Sequence, residues 1–366
     1  MQAPRAAAGG AVTPEGRPRA GTKIRPVEDP STPLLTADVM RRALLSGVGI
    51  AFITLAFIAS YAGALHNPKP HGIQLAVTAQ VPQEVQAPLE RSAALSVRHV
   101  AGPLQARQQI DRREAYGAIT FSRQGFTVIT APAASTGIAL LLQATLPAQL
   151  RATGQRVQSV TVHPLPESDS RGLVGFYTIV GWAIAGYLGA TLFGITFGTR
   201  IGHRKTMLRL GALVITGLLV GLGGTLVANA IGGMSAPWLS MTLLGALVIT
   251  TTGAITVALQ SLLGVAGTGI AILLFVILGN PSSGGPAAPE LMPAFWRDIG
   301  QHIPVGAGVT AFRNVAYFPA APLSDPLLTL FGWLALGVIV ALIAGRRASE
   351  MTQGEADVSV VAAMAP

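Results

Sequence analysis

From Trp238 to Leu278 the chain reads WLSMTLLGALVITTTGAITVALQSLLGVAGTGIAILLFVIL, without one Asp, Glu, Lys or Arg. The uncharged run is longer still, because no charged residue falls between Arg209 and Glu290. A helix on a soluble core must offer one face to water, whereas a helix apolar all round is buried or lies in lipid. A hydrocarbon core of about 30 Å is crossed by about 20 apolar residues. The stretch therefore holds more than one membrane helix, with spans at 238–259 and 262–278. Working outward, equally apolar runs fall at 207–231, 173–198 and 327–344, and a distant one at 43–65. The expected fold is a membrane all-α bundle of six transmembrane helices with an inserted extracytoplasmic α/β domain between helices one and two.

Composition agrees with this. Of 366 residues half are apolar and only 11% are charged, a membrane balance rather than a soluble one. The net charge of +9 is spread over tails and loops and lacks the clustered basic stripe of a nucleic-acid binder. Cysteine is absent, which excludes disulfides, thiolate metal sites and cysteine nucleophiles.

Residues 1–42, rich in Ala, Gly, Pro and Arg, read as a disordered cytoplasmic tail, with Leu34 to Arg42 able to lie along the interface. The first apolar run is longer than a signal peptide's h-region and is expected to stay in the membrane. Residues 66–171 turn soluble in character, with strand-like runs at Ile73–Val81, Tyr116–Ser122, Phe126–Thr130 and Val157–Val162. Helical periods cover Glu84–Val100, Gln105–Glu114 and Ser135–Thr153. Alternating strands and helices predict one small α/β layer.

Basic residues set the orientation. Arg200, Arg204, Lys205 and Arg209 crowd the connection between helices two and three, and Arg41, Arg42, Arg346 and Arg347 flank the outermost spans. Six spans then place both termini, including the tail 346–366, in the cytoplasm. The membrane domain covers 172–345 and includes the external loop 280–326, Pro- and Gly-rich but with a helical pattern over Glu290–His302. Phe295 and Trp296 there are placed to sit at the outer interface.

No catalytic, cofactor-binding or metal constellation is expected. His66 and His71 stand five apart without nearby carboxylates and read as solvated. His203 belongs to the basic loop. Ser282 and Ser283, within Asn280-Pro-Ser-Ser-Gly-Gly, lack the spacing of a hydrolase nucleophile and read as a helix-ending turn. No phosphate-binding loop occurs. The spans are read as free of ionisable groups at membrane depth, Arg209 being counted with the loop, so ion coupling is not expected. The pairs Gly194 with Gly198 and Gly217 with Gly221 suit close helix packing, within the chain or across a dimer. Thr250, Thr251, Thr252 and Thr256 either line a polar path or bond back to the preceding turn.

One span, a large external domain and then five spans resembles the layout of the phage infection protein (Pip)-like family, within the type 2 ABC exporter permease group. Asp111-Arg-Arg-Glu-Ala-Tyr-Gly-Ala-Ile-Thr is similar to the family's passage from a helix into a strand. Gly279-Asn-Pro-Ser-Ser-Gly-Gly, followed by Pro289-Glu-Leu-Met-Pro-Ala-Phe-Trp and Ile303-Pro, resembles the external segment between the last two spans, where such permeases carry short helices that dip toward the membrane. The likeness covers about residues 40–348. It implies that Thr199 to Arg209, with Arg200, His203, Arg204, Lys205 and Arg209, is the loop resting on a separate ATPase. It implies that Asn280, Pro281, Pro293, Phe295, Trp296 and Pro304 belong to an external gate or interface segment. The function implied is a homodimeric permease-like subunit in the plasma membrane that moves or presents a hydrophobic or amphipathic envelope compound. The alternative is a non-transporting envelope scaffold or receptor whose external domain binds a partner, with the six spans as its anchor in the lipid bilayer.

Overall fold

The computed structural model describes residues 36–199 and 201–364, with 350–364 as backbone only. The tail assigned to residues 1–35 and the basic Arg200 lie outside the described residues. The chain divides into two compact units, 1–51 and 52–366. Helix α1 (Ala37–Leu65) carries the boundary between them. In the first unit Asp38 opens the helix and pairs with Arg41 at 3.7 Å. The stretch from Ala37 to Arg42 is thus continuous with α1.

Within the second unit, residues 73–161 form a five-stranded mixed sheet in the order β2-β1-β3-β4-β5. The elements run β1 (Ile73–Thr78), α2 (Gln83–Glu90), β2 (Leu95–Val100), α3 (Pro103–Asp111), β3 (Gly117–Ser122), β4 (Gly125–Thr130), α4 (Thr136–Arg151) and β5 (Val157–Thr161). Only β3 and β4 are antiparallel, in register Ile119 to Val128. They form the only hairpin of the sheet, and the other neighbours need helical crossovers. Alternation along the strands sends two apolar sets to opposite faces. Ile73, Leu75, Val77 and Val128 meet Leu142, Leu146 and Leu150 of α4 and Leu89 of α2. On the opposite face the small side chains Ala76 and Ala118 admit Ile110 of α3 and Phe318. The expected helix over Glu84–Val100 is corrected: it stops at Glu90, and Leu95–Val100 is the edge strand β2, paired in parallel with β1.

The remainder is helical. Helices α5 (Val174–Phe197), α6 (His203–Gly232) and α7 (Trp238–Leu263) are followed by α8 (Ala266–Ile272), a π-helical turn over Leu273–Gly279, and the short α9 (Asn280–Ser282). Then come α10 (Ala294–Gly300), α11 (Pro304–Tyr317) and α12 (Ser324–Met364). Among the described residues five helices are long and apolar enough to cross a membrane: Ala37–Leu65, Val174–Phe197, His203–Gly232, Trp238–Leu263 and Ser324–Ser349. The run expected to span at 262–278 does not join them. Gly264, at φ +64°, ends α7 and leaves the shorter apolar helix Ala266–Ser282. The five helices are those of a multi-pass membrane protein by length and composition.

α7 is the central helix, with most of its residues buried. Glycines let its neighbours approach. A side chain at Gly217 or Gly221 would meet the α7 backbone at Ala246 or Thr242, so this pair serves packing inside the chain. Thr250, Thr252 and Thr256 donate to carbonyls three or four residues back. Thr251 instead donates to Leu330 O of α12 at 3.3 Å.

Candidate functional site

Residues 280–326 are no loop. The turn after α9 is closed from within: Ser282 Oγ donates to Leu278 O at 2.6 Å, and Ser283 Oγ donates to Asn280 O at 2.7 Å and accepts from Gly285 N. This is the helix-ending turn that the sequence implied, with Gly284 at φ +78°. Pro304 occupies the first turn of α11, where its missing N–H costs nothing. Nearly every side of α11 is covered, from Val305 to Phe312. It reaches α5 through Phe312, whose ring lies where a side chain at Gly175 would stand, and α5 and α7 through Gly308, which faces Ile179 and Val248. Trp333 of α12 donates to His302 O at 2.7 Å. A non-spanning helix is thus enclosed among three long ones.

Polar contacts join this segment to the α/β layer. Arg313 Nη1 and Nη2 donate to Gly284 O and Gly285 O at 2.7 and 3.1 Å, clamping the turn. Asn314 Nδ2 donates to Pro322 O, and its Oδ1 accepts from Arg113 Nη1. Arg113 lies 5.7 Å above the ring of Phe318, which is fully buried on the sheet. Tyr116 OH donates to Glu290 Oε2 at 2.7 Å. Burial, followed by the Glu290 carboxylate, pushes the Tyr116 phenol above its usual range. Burial pulls Arg313 down to about 10, so it is still a cation at neutral pH.

Arg113 pays for this junction with its backbone, at φ +57°. The position after a helix cap is one that glycine commonly fills, and a side chain there costs roughly 1 kcal/mol or more. Arg113→Gly is therefore expected to relieve the local backbone while removing the link to Asn314. Protection of α11 amides in hydrogen exchange should fall while that of β1 and β3 is kept. Equal loss in both would mean that the arginine only supports its own layer.

Asp111, at the end of α3, accepts from His163 Nε2 and Arg107 Nε, both at 2.7 Å. Burial works upward on this carboxyl, but His163 and Arg107 outweigh it and hold it below its ordinary 3.8. A depressed carboxylate stabilises the fold above its unfolded pKa and loses that contribution as pH falls through the folded value. Stability should thus decline on acidification below about pH 4, and Asp111→Asn should flatten that part of a melting-temperature profile.

The structure divides the residues expected at an external gate. Asn280, Pro281 and Pro304 are packed inside. Pro293 and Phe295 are exposed, the latter 59%. Trp296 lies against Gly63 of α1 and meets the Phe295 ring edge-on. The helical pattern over Glu290–His302 shrinks to Ala294–Gly300.

The basic loop is also shorter than expected. α5 ends at Gly198, φ +96°, and α6 begins at His203. Arg204 and Lys205 are exposed in its first turn. Cations there oppose the helix dipole, so their position is not explained by helix stability. His203 N donates to Ser349 Oγ, tying the connection to α12. Arg209 is a correction: it is fully buried and cannot contribute to a contact surface. Two turns into α6, it donates to Ala190 O at 2.9 Å, Gly198 O at 3.2 Å and Gln260 Oε1 at 2.6 Å. Gly194 provides the room, since a side chain there would meet both Gln260 and Arg209. Gln260 in turn donates to Thr191 and Thr268.

Arg113, Arg313, Asn314, Phe318 and Gln260 were missed as site residues in the sequence. The one visible signal was Arg313-Asn314 set in an otherwise apolar helical stretch. No family model, curated protein or solved structure matches this chain.

Proposed function

We propose that the chain is a permease-like subunit of a type 2 ABC exporter system, which moves or presents a hydrophobic or amphipathic envelope compound with energy from a separate ATPase. The observation that carries this reading is the broken helix Ala266–Ser282 followed by α11, enclosed among α5, α7 and α12. Interrupted helices among spanning ones are tolerated where protein buries them, and they recur at transport pathways. In this reading Ala266–Ser282, at about 1.5 Å per residue, is the sixth and shortest span. Both termini and the Arg204 and Lys205 turn then face the cytoplasm, and the α/β layer is the domain inserted outside the plasma membrane. The chain works as a homodimer on an ATPase whose acidic surface meets the basic turn.

Because the chain has no cysteine, single introduced cysteines report the topology directly. Arg123→Cys should label from outside intact cells, and Lys205→Cys only after permeabilisation. Affinity purification in mild detergent tests the function. Recovery of a nucleotide-binding subunit that is lost on changing Arg204 and Lys205 to Glu supports it. Recovery of envelope partners alone, held through residues 66–171, would sink it in favour of a scaffold or receptor.

A further inference from the structure

A cavity of about 300 Å³ opens where the α/β layer meets the segment before α11. Its charged lining is of one sign: Arg171 and Arg313 border it, and no acidic side chain does among the described residues. Neither cation makes an ion pair among the described residues. Arg313 is a buried guanidinium whose hydrogen bonds go to the neutral carbonyls of Gly284 and Gly285. Arg171 is exposed, and its guanidinium has no hydrogen bond or ion pair among the described residues. A buried cation usually has an anion to offset its desolvation. The Asp169 carboxylate acts on Arg313 only at a distance, its oxygens accepting from Leu173 N and Val174 N, and the cavity beside the guanidinium is open.

Three further observations say what kind of anion fits. Leu65, the last residue of α1, forms one wall, and Gly172, just before α5, forms another. Two candidate spans thus end at the cavity, which puts it at headgroup level if they cross a bilayer. Leu165 and Leu291 give it an apolar side. The first turn of the sixteen-residue α4 also borders it: Ser135 caps Ile138 N, and Thr136 and Gly137, whose first-turn N–H groups have no partner within the helix, are part of the lining.

We propose that this cavity binds the phosphate headgroup of an anionic amphiphile, with Arg171 and Arg313 as the charge partners and the ends of α1 and α5 beside its acyl chains. The volume, at the low end of about 300–1,000 Å³ for ligand pockets, suits a headgroup and not a whole lipid. The proposal needs α1 and α5 to cross a bilayer but does not need the chain to transport anything. Its failure would leave the ATPase test untouched, since the binding assay contains neither ATPase nor nucleotide.

The full chain, purified in mild detergent and incubated with phosphatidylglycerol or phosphatidylcholine, is read by native mass spectrometry for retained lipid. Phosphatidylglycerol should be retained about tenfold more tightly, and Arg171→Gln should remove the preference, as expected for loss of a charge-assisted contact. Arg171 is exposed, so this variant is safe for folding, and Arg313→Gln serves as a second measure only where its elution profile matches the parent. Arg151→Gln, exposed and away from the cavity, should change nothing. Equal retention of the two lipids, or a preference that survives Arg171→Gln, overturns the proposal. Displacement of phosphatidylglycerol by inorganic phosphate at matched concentration overturns it too, because the site would then belong to a soluble anion.

Discussion

Replacing Gly306 with valine is expected to cost about 3 kcal/mol or more and to dislodge α10 and α11 from the bundle. A side chain at 306 would run into the carbonyl of Gly300 and the Cα of Ser283, and one at Gly300 would run into the carbonyl of Ser282. These are backbone atoms of the turn after α9 and of the end of α10, with no rotamer free to yield. The same change at Gly181 or Gly211, where nothing lies within 4 Å, has open space to enter, and alanine there should be neutral or gain up to about 1 kcal/mol in helix propensity. The measurement is the melting temperature of the detergent-solubilised protein, followed by size-exclusion elution after heating. If Gly306→Val and Gly181→Ala melt alike, the enclosed α11 does not exist as described and the permease reading loses its main support.

That contrast also explains which parts of the fold were legible. The apolar runs set the long helices because bilayer thickness imposes a length that composition alone reveals. Strands β1, β3, β4 and β5 could be read because their residues are apolar and β-branched. Leu95–Val100 could not: it is a half-exposed edge strand, so its alternation is faint, and only pairing with β1 decides its conformation. α11 was hidden for the opposite reason. Buried nearly all round, it has no polar face to give a helical period, and its proline and two glycines look like loop punctuation until Pro304 is seen in a first turn. In the sequence Arg209 groups with Arg204 and Lys205, because proximity along the chain cannot say that a helix has already begun at His203. The Arg113, Asn314 and Phe318 junction joins residues about two hundred positions apart in sequence, which no local pattern reports.

Gln260→Leu is expected to be among the most damaging single substitutions in the helical part, costing about 3 kcal/mol. The reason is what it leaves behind. Arg209 has no carboxylate partner among the described residues, and its Nε already lacks a hydrogen bond. Its shortest contact is to Gln260 Oε1. Leucine at 260 removes that acceptor and also the donors to Thr191 and Thr268, stranding a buried cation among α5, α6 and α7. Arg209→Leu should cost less, since the charge leaves with the side chain and Gln260 keeps its two threonines. The double variant should then be more stable than the sum of the single losses predicts, by roughly 1–2 kcal/mol, against an average near 0.6 kcal/mol for polar pairs inside membrane proteins. Melting temperatures of the four proteins in one detergent give the cycle. Strict additivity would mean that the two side chains do not share a bond. Coupling of the expected sign would place the rigid point of the bundle little more than one turn from Arg204 and Lys205, so that a force applied at that exposed turn is transmitted along α6 into α5 and α7 rather than absorbed by a flexible loop.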